Sequence, residues 1–284
     1  MTETAREKRA IINADDFGFS RGVTEGILRA HREGVVTSTT VTANMPAAEE
    51  AVRRLAESPG LGLGVHLNVT QGPVLSKRGA ALAGEDGMMR WNPGELLWAC
   101  IRRPRLLGAV EAECDAQIRW VLDHGVHPTH LDGHQHVHAF PPIFVRVAAL
   151  AGRYNIPFVR WPREKLPGPG WPRVSAQRRR IRRWLNLFSG IDRTLCGRLR
   201  GTSGTWGIAH TGEIDAAWLI QAARSLEPGV IEIMTHPGLY NDLDSAWTWL
   251  GQSRRVEMEA LCDTAVREAF HNHGVELIHY GHLR

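Results

Sequence analysis

The sequence has few cysteines, few tyrosines and no long apolar run. Its four cysteines, Cys100, Cys114, Cys196 and Cys262, are scattered over 284 residues and form no C-x-x-C pair. Spaced like this they suit neither a disulfide scaffold nor a thiolate metal site, and they read as free thiols in a reducing compartment. No apolar stretch reaches the roughly 18 residues that suggest a membrane-spanning helix. The charged residues 1–9 are followed by only a short apolar run at 10–14, which leads into two aspartates, so no secretion signal is expected. The expected location is the cytoplasm. A strong charge imbalance is also missing: the formal net charge is +4 and the sequence pI is about 9.1. The excess is local, in Arg178, Arg179, Arg180, Arg182 and Arg183. A mild global charge says little about partners, whereas a dense cluster says more.

With 43% hydrophobic and 23% charged residues, the chain reads as an ordinary globular protein able to bury a sizeable core. Short apolar runs alternate with helical periodicity. Strands are expected at 10–13, 38–41, 61–67, 129–131, 157–160, 230–234 and 275–278. Helices are expected at 22–31, 47–55, 112–122, 143–150, 216–226 and 256–270. About seven β/α repeats with no boundary linker predict one α/β domain over 1–284, built as a parallel sheet or a distorted (β/α) barrel. Two segments depart from the pattern. Residues 71–104 are rich in Gly, Trp and Met and read as a long loop. Residues 163–204 open with Pro167, Pro169 and Pro172 and continue into the arginines. Long irregular segments in compact α/β domains are often substrate loops.

In a β/α barrel, chemistry sits at the C-terminal strand ends. Asp15 and Asp16 end the first expected strand, and His66 ends the third. His130, Asp132, His134, His136 and His138 crowd the fourth, and His236 follows the strand at 230–234. Each has an ordinary reading: a helix cap for the aspartates, a hydrogen-bonded core histidine for His66, a turn residue for His236. Together, imidazoles and carboxylates at four converging strand ends suit a divalent metal with open positions.

These residues lie in runs that resemble the YdjC-like carbohydrate deacetylases, relatives of the diacetylchitobiose deacetylases. Asn13-Ala14-Asp15-Asp16-Phe17-Gly18 resembles the opening motif. Val36-Thr37-Ser38-Thr39-Thr40, Gly64-Val65-His66-Leu67, Pro128-Thr129-His130-Leu131-Asp132-Gly133-His134-Gln135-His136-Val137-His138 and Glu232-Ile233-Met234-Thr235-His236-Pro237-Gly238 resemble the later ones, in order. The run departs from the family pattern at Gly133 and Gln135, neither of which is an expected ligand. Residues 163–204 match no motif. The resemblance implies a polysaccharide-deacetylase-like barrel and hydrolysis of an N-acetyl group on an amino sugar. It implies Asp16, His66 and His134 as metal ligands, Asp15 as base and His236 as general acid. Asp132, His136 and His138 then orient ligands or meet substrate, and Arg160 contacts Asp15 or the substrate. The expected cofactor is one divalent ion, zinc first, with magnesium, manganese, cobalt or iron as alternatives.

Residues 178–188 read RRRIRRWLNLF. On a helix, Ile181, Trp184, Leu185 and Phe188 share a face flanked by arginines. Two readings stay open: a helix in a membrane interface, or a solvated helix packed on the barrel. The first favours a lipid-linked amino sugar, as in the hopanoid-associated branch of the family. Trp91, Trp98, Trp161, Trp171, Trp184, Trp206, Trp247 and Trp249 include candidates for stacking on sugar rings, although core packing accounts for most tryptophans. Another metal hydrolase, such as a phosphoesterase, or a carbohydrate- or lipid-binding protein are the rival readings. No nucleic-acid motif accompanies the arginines. The sequence leaves the oligomeric state open, a homo-oligomer included.

Overall fold

The computed structural model describes residues 7–165, 171–196, 199–239, 242 and 248–283; Pro167, Pro169 and Trp247 lie outside them. The elements run β1 (Lys8–Phe17), α1 (Arg21–Arg32), β2 (Ser38–Val41), α2 (Ala48–Arg54), β3 (Gly62–Leu67), β4 (Gln71–Pro73), β5 (Met88–Arg90), α3 (Pro93–Arg102), α4 (Arg105–Asp123), β6 (His130–Gly133), α5 (Pro141–Arg153), β7 (Phe158–Val159), α6 (Ala176–Leu195), β8 (Gly204–Trp206), α7 (Ala216–Ser225), β9 (Gly229–Thr235), α8 (Ser253–Leu261), α9 (Thr264–Asn272) and β10 (Val275–Leu277).

Seven parallel strands lie in the order β7-β6-β3-β2-β1-β9-β8, and β10 pairs in parallel with the first residues of β1. The sheet curls until its edges meet. Phe158 bridges Arg200, and the Thr205 N–H donates to the Arg163 carbonyl at 3.0 Å. This is the expected α/β barrel-like architecture, with the helices packed around the strands. Residues 10–17 of β1 and all of β2 and β3 are buried on both faces, which is why they read as near-continuous apolar or small-residue runs.

Parallel strands place all their C-terminal ends on one side. At that side β1 loses its regularity: its register against β2 shifts between Ala14 and Phe17, and Asp16 has a φ of +73°. In a regular strand Asp15 and Asp16 would point to opposite faces. The irregularity lets both line one cleft.

Three expectations need correction. Residues 71–104 are no simple loop: β4 and β5 form an antiparallel hairpin, and α3 follows, capped by the Asn92 side chain with Pro93 at its first position. Buried Glu113 of α4 pins this segment by accepting the N–H groups of Leu75 and Ser76, each at 2.9 Å. Residues 163–204 hold the twenty-residue α6, started by the Ser175 side chain accepting from the Arg178 N–H. The helix expected at 256–270 is two helices. It breaks at Cys262, and the Asp263 side chain caps the second by accepting from the Ala265 N–H.

Candidate active site

Three side chains from three strand ends converge. Asp16 Oδ1 lies 3.5 Å from His66 Nε2 and 3.2 Å from His134 Nδ1, and the two ring nitrogens are 3.3 Å apart. The opposite side of each group is held by another residue. Arg254 of α8 takes Asp16 Oδ2, and Asp132 Oδ1 faces His66 Nδ1 at 2.8 Å. The Gln71 amide faces His134 Nε2 at 3.0 Å. Three atoms are thus left aimed at a common centre, and Asp16 Oδ1 is buried without a hydrogen bond among the described residues.

These residues fit a metal ion. Ligands at zinc-like bond lengths in a tetrahedral arrangement lie about 3.3–3.6 Å apart, which matches the triangle. Charge fits as well. Burial pulls the His66 pKa down, but Asp132, Asp15 and Asp16 outweigh it and push it up to about 9. The pocket therefore favours a cation at this position. With His134 Nδ1 given to an ion, its Nε2 carries the proton, and a half-turn of the Gln71 amide presents the oxygen to accept it. A second group, Asp15, His66 and Asp132, also has its ligand atoms close together. Its two carboxylates are already engaged by Arg160, which makes it an ion-pair network.

Arg160 is fully buried and central to that network. Its Nη1 and Nη2 grip Asp15 at 2.7 and 2.6 Å, and Nη2 also reaches Asp132 at 2.9 Å and Glu232 at 2.7 Å. These carboxylates hold its pKa well above the usual value against the effect of burial. Asn13 Nδ2 donates to Asp15 Oδ1 at 2.8 Å. Of the roughly four acceptor positions on a carboxylate, three are taken on Asp15 by the described residues, which leaves one on Oδ2.

His236 lines the same cleft. Its backbone N–H donates to Glu257 of α8, and its Nδ1 is buried without a partner among the described residues. Burial lowers its pKa to about 4, although Asp15 and Asp16 oppose the shift. Burial likewise raises Glu257 to about 7.

The histidine-rich run divides into two groups. His134 and His136 line the cleft, and His136 does so with a φ of +57°. His138 Nε2 faces the Arg160 carbonyl at 3.2 Å, and His130 stacks on Tyr280 with ring centres 3.8 Å apart. Those two are packing and positioning groups. Gly133 is needed beside them, since a Cβ there would stand 2.7 Å from His138 Nδ1.

The cleft encloses about 810 Å³. Its rim comes from the segments that broke the sequence pattern: Asn92 to Gly94 at the start of α3, and Arg178, Arg180 and Ile181 of α6. Sequence reasoning missed Arg254, Glu257 and Gln71. It quoted Glu232 in a motif without giving it a role.

Residues 9–272 match the family model for YdjC-like proteins. The chain belongs to that family. A carbohydrate deacetylase of Brevibacillus brevis is 32% identical over 97% of this chain and 99% of its own length. A chitooligosaccharide deacetylase of Enterobacter sp. is 32% identical over 95% and 97%. Among solved structures, an Enterococcus faecalis V583 protein named for cellobiose-phosphate cleavage superposes with a TM-score of 0.76 at 28% identity, over 98% of this chain and 99% of its own.

Proposed function

We propose that this YdjC-like protein is a metal-dependent carbohydrate deacetylase that hydrolyses the N-acetyl amide of an amino sugar to a free amine and acetate. The observation that carries the reading is the Asp16, His66 and His134 triangle, with the separately gripped Asp15 carboxylate in the same cleft. The names of the near-full-length relatives support it.

Asp16, His66 and His134 hold the ion. Bound there, a divalent metal acidifies water and polarises the amide carbonyl. Asp15 takes the proton of the attacking water on its free Oδ2 position, and Arg160 fixes the direction of that carboxylate. The amine nitrogen leaves only once protonated. His236, which lines the cleft, is the donor we assign. It is neutral above about pH 4 in the free site, so it takes a proton from solvent as negative charge develops on the tetrahedral carbon's oxygen and passes it to the nitrogen, while Asp15 returns the water's proton to solvent at the end of the cycle. No serine or cysteine nucleophile is required.

The substrate is an N-acetylglucosamine unit, either of a soluble oligosaccharide or of a glycolipid such as a hopanoid. A phosphoesterase is less well supported, because Arg160 is committed to carboxylates and the near-full-length relatives are named as deacetylases. A binding protein without catalysis would not need Asp15 gripped beside a complete ligand set. We place the protein in the cytoplasm, on its four free cysteines.

The test is acetate release from free and lipid-linked N-acetylglucosamine compounds, with chelated and metal-restored protein. Metal-dependent release supports the reading, and the compound that reacts identifies the substrate class. No release from any compound by metal-loaded protein sinks it.

A further inference from the structure

We infer that α6 docks the protein onto an anionic lipid surface, with the mouth of the active-site cleft at the membrane. The helix packs on the barrel through Leu185, Ser189 and Asp192, which are buried. The side adjoining this packed face exposes Ile181, Trp184, Leu187, Ile191 and Leu195, each 40–57% accessible. At about 100° per residue these five fall within an arc of about 120°, so they form one continuous apolar stripe. Exposed Arg179, Arg180 and Arg183 border it. The single acidic residue of α6 is Asp192, which faces inward, so the exposed side carries no negative charge.

The shape of the stripe favours lipid over a protein partner. It is one helix wide and about 21 Å long from Ile181 to Leu195, and arginines adjoin its apolar residues at Arg180 and Arg183. A protein interface of standard size covers about 800 Å² per partner and is depleted of charge at its core. A helix with one apolar face and a basic flank instead lies in the headgroup region, its arginines reaching phosphates while tryptophan settles at the boundary. No described helix is long and apolar enough to cross a membrane, so the arrangement is surface docking.

The stripe begins at the site. Ile181 is both its first residue and a lining residue of the cleft. Other rim elements also expose large apolar groups. Trp249 is 67% accessible, and α3, whose first residues line the cleft, exposes Trp98 at 62% and Ile101. The cleft therefore opens among apolar groups suited to a bilayer. A lipid-linked sugar could be presented to Asp15 without leaving the membrane, a consequence that rests on the deacetylase reading, whereas docking itself does not.

The experiment is co-sedimentation with vesicles of phosphatidylcholine alone and with about one-third phosphatidylglycerol. Two variants avoid the cleft-lining residues: Trp184→Ser/Leu187→Ser/Ile191→Ser, and Arg179→Glu/Arg183→Glu. The wild-type chain is expected to bind the anionic vesicles preferentially. Each variant, and raised salt, should lower binding about tenfold. Both variants should still release acetate from a soluble N-acetylated oligosaccharide, which shows that they fold. No wild-type binding, or variant binding equal to wild type, overturns docking. So does light scattering in which the wild type is a dimer and the stripe variant a monomer, since a second copy then covers the stripe. If no protein releases acetate yet the variants keep the wild-type circular dichroism spectrum and melting temperature and lose vesicle binding, the deacetylase reading fails and docking stands.

Discussion

Asp15 and Asp16 are adjacent in the chain, yet Arg160 holds one and Arg254 the other. Their proposed roles separate accordingly. Asp15→Asn keeps the shape but removes the basic oxygen, so kcat should fall about 10²–10⁴-fold while metal content measured by atomic emission stays at wild-type level. An active Asp15→Asn protein would remove the base assignment. His134→Ala should lose both metal and activity. His66 adds a pH signature in chelator-treated protein. Its folded pKa, about 9, lies above its ordinary 6.5. The stability it contributes is fully present below the ordinary value and is lost as pH rises through the folded one. The melting temperature of the wild type minus that of His66→Gln should therefore shrink between pH 6.5 and about 9. A difference that grows over that window contradicts the network drawn around His66.

At the scale of the element, α8 serves the site without contributing a proposed ligand. Arg254 and Glu257 stand one turn apart: the first takes Asp16 Oδ2, the second the His236 backbone N–H. Arg254→Leu should weaken metal affinity about 10–100-fold in a chelator competition, with partial recovery in Arg254→Lys. Unchanged affinity would reduce Arg254 to a packing role. Such a residue is illegible in sequence, because nothing local separates Arg254 from the exposed Arg255 beside it. The strands were legible for a physical reason: β3 and the site-proximal parts of β1 and β9 are buried, and these strands read as apolar runs ending in or followed by a titratable group. The convergence of Asp16, His66 and His134 follows from the parallel order of those strands, which alternation with helices signals. The segments 71–104 and 163–204 were harder. Their order comes from polar stitches, such as Glu113 to the backbone of Leu75 and Ser76, and from caps at Asn92 and Ser175. The amphipathic pattern of α6 was visible, but not which side packs, since its larger apolar stripe faces outward.

Across the whole molecule, Arg160 ties distant strands into one structure. It follows β7 and reaches Asp15 of β1, Asp132 of β6 and Glu232 of β9, while Tyr280, beyond β10, donates to Glu232 Oε2 at 2.9 Å. Its guanidinium is the shared counter-charge of three buried carboxylates. Removing one partner of a buried ion pair leaves the other charge uncompensated, at a cost of about 3–5 kcal/mol. Arg160→Leu should accordingly lower the melting temperature by roughly 5–15 °C. Arg160→Lys should recover part of that, since a point charge cannot reproduce the fork on Asp15. If uncompensated charge is the cause, Arg160→Leu/Glu232→Gln should be more stable than Arg160→Leu alone, even though it carries one more change in the core. Glu232 is the member to neutralise because burial already pushes its carboxyl up, so loss of its charge costs the fold least. Equal or lower stability of the double variant would mean that Arg160 acts through packing rather than charge.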